Sequence, residues 1–115
     1  MGKSGSHPVL IVDDDPALRT LVKTMLVKNG FEVVEADHGK KALEIMQALD
    51  VSLVILDIFM PVMDGVEFLA QLPTLKLART PPVIVASGQA RRTEIQQCMN
   101  LGAAFFLSKP VTVTG

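Results

Sequence analysis

The stretch "VLIVDDDP", Val9 to Pro16, runs four apolar residues straight into three consecutive aspartates and a proline. Neighbouring carboxylates repel one another, so an apolar strand that ends in such a cluster needs a reason for it. The rest of the chain supplies the context. Leu18, Leu21, Val22, Met25 and Leu26 recur at helical spacing, and Asn29-Gly30 closes that helix. "FEVVEA" (31–36) is a second strand, and a turn at Asp37-His38-Gly39 leads into a helix marked by Ala42, Ile45, Met46 and Leu49. "VSLVILD" (51–57) is a third strand, apolar on both faces, followed by a shorter helix with Phe68, Leu69 and Leu72. "PPVIVAS" (81–87) is a fourth strand. Ile95, Cys98, Met99 and Gly102 mark a fourth helix, and "AAFFLS" (103–108) is a fifth strand.

Strands that are apolar on both faces and alternate with amphipathic helices define an α/β protein with a parallel sheet covered on both sides. Right-handed crossovers and five strands lead to a flavodoxin-like order, 2-1-3-4-5. In such a sheet the site lies beyond the carboxyl ends of the strands, at the switch point between strands 1 and 3. The residues there are Asp13 and Asp14 after the first strand, Asp57 after the third, Ser87 after the fourth and Lys109 after the fifth. Asp37, after the second strand, lies to the far side of the first.

Composition narrows the function. At 115 residues the chain is one domain. A net charge of −1 gives no general attraction to nucleic acid or anionic membrane. No apolar run approaches the ~20 residues of a membrane span. The one cysteine, Cys98, forbids an internal disulfide and fits a reducing compartment, so a cytoplasmic location is expected. Residues 1–7 are small and polar without an apolar core, and read as a flexible tail or cloning remnant. Cys98 falls on the apolar stripe of its helix and reads as packing, His38 reads as a surface residue, and Asp64-Gly65 as a turn and helix start.

The strand-end residues have a joint chemistry. Carboxylates gathered at one edge call for a hard divalent cation with oxygen ligands, and magnesium commonly takes one or two carboxylates, waters and a phosphate oxygen. Lys109 adds a positive charge and Ser87 a hydroxyl donor. These are the parts that position and neutralise a transferring phosphoryl group, and a carboxylate can itself be the acceptor. Asp15 plays another part. It precedes Pro16 at a helix start and reads as an N-cap.

The acidic pair in "VDDDP", with "LDIFMPVMDG", "VIVASG" and "SKP", resembles the receiver domain of two-component response regulators, with the motifs in order from about Val9 to Val113. The resemblance implies a receiver domain over 8–115 that accepts a phosphoryl group on Asp57 with Mg²⁺ as cofactor. On that resemblance it would catalyse only its own phosphorylation and dephosphorylation. It implies Asp14 as a direct metal ligand and Asp13 as one acting through water, completed by Asp57 and the backbone carbonyl of Phe59. Ser87 would bond the phosphoryl oxygen, Lys109 would pair with it across a cis Lys109–Pro110 bond, and Phe106 would be the aromatic switch partner of Ser87. The implied partner is a sensor histidine kinase or a histidine phosphotransfer protein, with no direct binding to nucleic acid or membrane. The alternative is a pseudo-receiver that acts as a phosphorylation-independent interaction module; the intact Asp13, Asp14, Asp57, Ser87 and Lys109 set argues against it.

The chain also departs from that pattern. Val62 stands where the family often has glycine, so the loop after Asp57 is expected to be stiffer. Phe59 is bulky where small or polar residues are frequent, and Gln89 is polar and uncharged; both border the path of the hydrolytic water in the family. A fifth helix is not encoded by "VTVTG" at 111–115, so it is expected either to lie in sequence beyond Gly115 or to be missing or truncated in this chain. One sheet face is then expected to lie uncovered, with a homodimer through that face or the helix 4–strand 5 face as a consequence.

Overall fold

The computed structural model describes residues 7–88 and 90–108. The strands are β1 (Val9–Val12), β2 (Val33–Ala36), β3 (Leu53–Leu56), β4 (Val83–Ser87) and β5 (Phe105–Ser108). The helices are α1 (Pro16–Lys28), α2 (Gly39–Ala48), α3 (Gly65–Gln71), extended by a 3₁₀ turn at Leu72–Leu75, and α4 (Arg92–Asn100). The sheet is parallel throughout and ordered β2-β1-β3-β4-β5, the flavodoxin-like order expected from the alternation.

Alternation along each strand divides the apolar side chains between two faces. Leu10, Val12, Val54, Leu56, Val83 and Val85 join Ala42, Met46, Phe68, Leu69, Leu72 and Cys98 in the main core, under α2, α3 and α4. Val9 and Ile11 point the other way and are buried as well, on the face where α1 lies along β1 and β2. Cys98 is fully buried, as its place on the stripe implied. Burial pushes its thiol up, with Asp64 and Glu94 adding to the effect, so it is an unreactive packing residue.

Helix ends follow from local chemistry. The Asp15 carboxylate accepts from the Ala17 and Leu18 amides at 3.0 and 3.4 Å, and Pro16 takes the first helical position. At the far end Gly30 is left-handed, with φ 90°. Its amide donates to the Val27 carbonyl, and that of Phe31 to Leu26, both at 3.0 Å. This closing turn absorbs Phe31, which the sequence pattern assigned to the second strand; β2 starts at Val33 and Phe31 is exposed. His38 caps α2, its Nδ1 accepting from the Lys41 amide at 3.1 Å, and is half-buried rather than a plain surface residue.

The apolar stripe of α1 is only partly used. Leu18, Val22 and Leu26 are half-buried, while Leu21 and Met25 are exposed. On β5, Phe105 and Leu107 are 56% and 47% exposed. Among the described residues, the face shared by α1 and β5 thus carries part of the exposed apolar surface, with Leu49, Phe59, Val62, Met99 and Leu101 exposed elsewhere. No helix among them is long and apolar enough to cross a membrane.

Glu35 on β2 receives Arg19 Nε at 3.1 Å and Lys23 Nζ at 3.2 Å, both from α1. Burial alone would raise its carboxyl, but hydrogen bonds from Arg19 and Lys23, with their charges, hold it below the usual glutamate range. A depressed carboxyl stabilises the fold above its unfolded pKa, and that contribution is lost as pH falls through the folded one. The stability difference between the native chain and Glu35→Gln is therefore expected to be largest near neutrality and to close on acidification. Urea midpoints of both chains across that range measure it.

Candidate functional site

The site grows out of the pairing of β1 with β3. Val12 pairs with Leu56, so the next residues, Asp13 and Asp57, leave the sheet side by side. The ladder carries on one step beyond the strands: the Asp57 amide donates to the Val12 carbonyl at 2.9 Å and the Asp13 amide to the Ala36 carbonyl at 3.1 Å. Asp13 and Asp57 are buried, at 7% and 8% exposure, and Asp14 is exposed. One carboxylate oxygen from each of the three lies within 4.8 Å of the others.

Backbone amides orient two of these carboxylates. Asp13 Oδ1 accepts from the Asp15 amide and Asp57 Oδ1 from the Ile58 amide, each at 2.9 Å. The Asp13 carbonyl accepts from an Arg19 guanidinium nitrogen at 2.6 Å. Asp15 is turned out to cap α1 and is not part of the cluster. The donor set is hard oxygen and one side is open to water. Those are the properties of a magnesium site that keeps several waters, so the residues fit that ion.

Ser87 closes β4, buried at 3% exposure, on the same sheet face as Val85. Val85 pairs with Phe106, which is half-buried against the main core. Phe59 stands beyond Asp57 with 40% exposure. The expectations for Lys109, the Lys109–Pro110 bond and Gln89 fall outside the described residues.

The loop after Asp57 is tied at several points. The Gly65 amide donates to the Ile58 carbonyl at 2.7 Å, and the Gly39 amide to Met63 at 3.3 Å. The Met63 amide reaches back to Pro61 at 2.7 Å, closing a three-residue turn around Val62, whose φ is 70°. That is the strained form of the γ-turn, held by a β-branched residue. Val62 thus carries backbone strain, at a cost of about 1–3 kcal/mol. Asp64 and Glu67 form a capping box on α3, at 2.9 and 3.2 Å, in line with the reading of Asp64-Gly65 as a helix start.

Gly65 does more than start a helix. A Cβ there would sit 2.5 Å from the Asp57 carbonyl oxygen and 2.8 Å from the Ile58 Cα. Sequence reasoning misses this role, and it misses Arg19 altogether. In neither case does residue type or spacing announce the contact.

A parallel sheet in this order, with three convergent carboxylates and a buried serine at its carboxyl edge, is the arrangement in which the chain meets its family. The chain belongs to the response regulator receiver domain family, whose model matches residues 9–114. It is 42% identical over 104 residues to the virulence regulator BvgA of Bordetella pertussis, covering 90% of this chain and 49% of that one. The chain thus spans about half the length of the transcription regulators it matches. It is 37% identical over 106 residues to the chemotaxis protein CheY of Bacillus subtilis, covering 91% of this chain and 87% of CheY. The receiver domain of NarL from Mycobacterium tuberculosis superposes with a TM-score of 0.81 at 33% identity, covering 95% and 88%. The receiver domain of a sensor histidine kinase from Pseudomonas aeruginosa, solved with magnesium coordinated in its active site cleft, shares the fold at TM-score 0.82 and 23% identity, covering 94% and 88%.

Gly65→Ala is expected to push the Asp57–Ile58 backbone aside and to lower stability by about 1–3 kcal/mol. Denaturant midpoints check the loss, and the Asp57 and Ile58 amide resonances check the displacement.

Proposed function

We propose that this domain is a signalling module that accepts a phosphoryl group on Asp57 from a histidine kinase or histidine phosphotransfer protein, with Mg²⁺ as cofactor. The observation that carries the reading is the approach of the Asp13, Asp14 and Asp57 carboxylates to within 4.8 Å at the carboxyl edge of the sheet. Asp14, Asp57 and the Phe59 carbonyl would hold the ion directly and Asp13 through water. When bound, Mg²⁺ neutralises charge on the transferring group and brings its oxygens to the acceptor.

A carboxylate oxygen of Asp57 attacks phosphorus in line with the phosphorus–nitrogen bond of the donor. That bond breaks, its electron pair stays on the imidazole nitrogen, and an acyl phosphate forms on Asp57. Ser87 donates its hydroxyl to a phosphoryl oxygen and Lys109 pairs with another, so both act on charge that builds during transfer. Drawing Ser87 toward the phosphoryl group frees space on the face it shares with Val85 and Phe106. Phe106 turns further inward there, and the α4–β5 surface changes shape for a partner. Self-association through that surface, or through the exposed apolar face of α1 and β5, belongs to the same proposal.

The decisive experiment is incubation with acetyl phosphate. Incorporation is expected with Mg²⁺ present, and none is expected with EDTA or in Asp57→Ala. Equal labelling in EDTA or in the variant refutes the reading.

Lifetime follows from Phe59. Hydrolysis requires a water in line with the bond between Asp57 and phosphorus, and a bulky side chain two residues on crowds that approach. Phe59→Asn is expected to lose its phosphoryl group severalfold faster than the native chain. A time course of the labelled protein measures this, and equal or slower decay in the variant rules out the steric account.

A further inference from the structure

Arg19 is neither a metal ligand nor a phosphoryl contact, yet it makes a short bond to the site. Its side chain is 18% exposed. One terminal guanidinium nitrogen lies 2.6 Å from the Asp13 carbonyl oxygen, and Nε lies 3.1 Å from Glu35 Oε1. A guanidinium is a planar fork of fixed donors, so two bonds to two different segments leave it little freedom to turn. Glu35 is itself held by Lys23 at 3.2 Å, which fixes the anchor of the fork.

The carbonyl that Arg19 grips belongs to the peptide joining Asp13 to Asp14. A peptide unit is planar, so fixing that oxygen fixes the direction in which the Asp14 Cα leaves the strand. Asp13 is also tethered by its amide to the Ala36 carbonyl, and its Oδ1 by the Asp15 amide. Among these three bonds at the Asp13–Asp14 corner, the one from Arg19 comes from a side chain and the other two from the backbone.

We propose that Arg19 is a positioning residue for the divalent-cation site, setting the angle between the Asp13 and Asp14 carboxylates through their shared peptide. This rests on the reading of Asp13, Asp14 and Asp57 as that site. Charge alone predicts the opposite effect. A guanidinium beside an acidic cluster repels a second cation, so removing it would tighten Mg²⁺ binding. Positioning predicts weaker binding, because the carboxylates lose their relative orientation; partners that orient metal ligands are typically worth tenfold or more in affinity. The sign of the change separates the two.

The test is titration of the full chain with Mg²⁺ alone, followed by backbone amide NMR, which also reports whether each variant is folded. Arg19→Met keeps most of the apolar stem and is expected to bind about tenfold more weakly than the native chain. Arg19→Lys is expected to bind severalfold more weakly, since one ammonium cannot span both acceptors. Lys23→Met removes a charge from the same carboxylate and loosens the anchor of the fork but leaves the Asp13 carbonyl contact, and is expected to lose clearly less affinity than Arg19→Met. Equal or tighter binding in Arg19→Met overturns the proposal, as does full rescue by lysine or an equal loss in Lys23→Met. Failure of the native chain itself to bind Mg²⁺ overturns the site reading, and with it the role of Arg19.

Discussion

Three carboxylates held within 4.8 Å of one another are the constraint on which the rest of this structure turns. At such a separation each pair of full charges repels by on the order of 3 kcal/mol at an effective dielectric constant of about 20. The fold must supply the force that gathers them. It comes from the in-register pairing of β1 and β3, both central strands with apolar side chains on both faces. Slippage of β1 by one residue would carry every core side chain to the wrong face, so register is strongly specified and Asp13 is delivered beside Asp57. The repulsion is held by the sheet and eased by the Asp15 and Ile58 amides, each donating to one carboxylate.

The loop after Asp57 extends this rigidity. Gly65 lies against the acceptor's own backbone, Met63 is tied to Pro61 and to Gly39, and Val62 is held at positive φ. Strain of this sort persists only where the surroundings over-determine the backbone. The carbonyl of Phe59 sits in the same loop, so a stiff loop also fixes the oxygen proposed to complete the metal's protein ligands. The movement proposed for Ser87 and Phe106 lies outside this loop, on the sheet face they share with Val85.

Much of this is legible in the residues. Short apolar runs alternating with helical periodicity reveal a parallel sheet, because such strands must be buried on both faces. Once the sheet is parallel, its strand ends converge, which is why Asp13, Asp14, Asp57 and Ser87 stand out from the sequence. Other features depend on contacts that no pattern encodes. Phe31 continues an apolar-looking strand in sequence, yet the turn after α1 takes it. Leu21 and Met25 share a stripe with Leu18 and Val22, but periodicity says which side of a helix is apolar, not what covers it. Gly65 looks like any turn glycine until its missing Cβ is measured against the Asp57 carbonyl.

The weak burial of α1 connects these points. No residue of this helix is fully buried, so apolar packing alone specifies its position loosely. Polar contacts supply the precision. Asp15 caps the helix and through its amide holds Asp13, while Arg19 pairs with Glu35 on β2 and holds the Asp13 carbonyl. Both Asp15 and Arg19 therefore register α1 on the sheet and touch the acidic corner at once. A shift of the helix along β1 and β2 would strain the Arg19 fork and the bond from the Asp15 amide to Asp13 together, because both contacts and the acidic corner lie within one short segment of chain. The geometry of the site and the docking of its first helix are in this sense one equilibrium, set by hydrogen bonds of fixed direction where the hydrophobic contact has none.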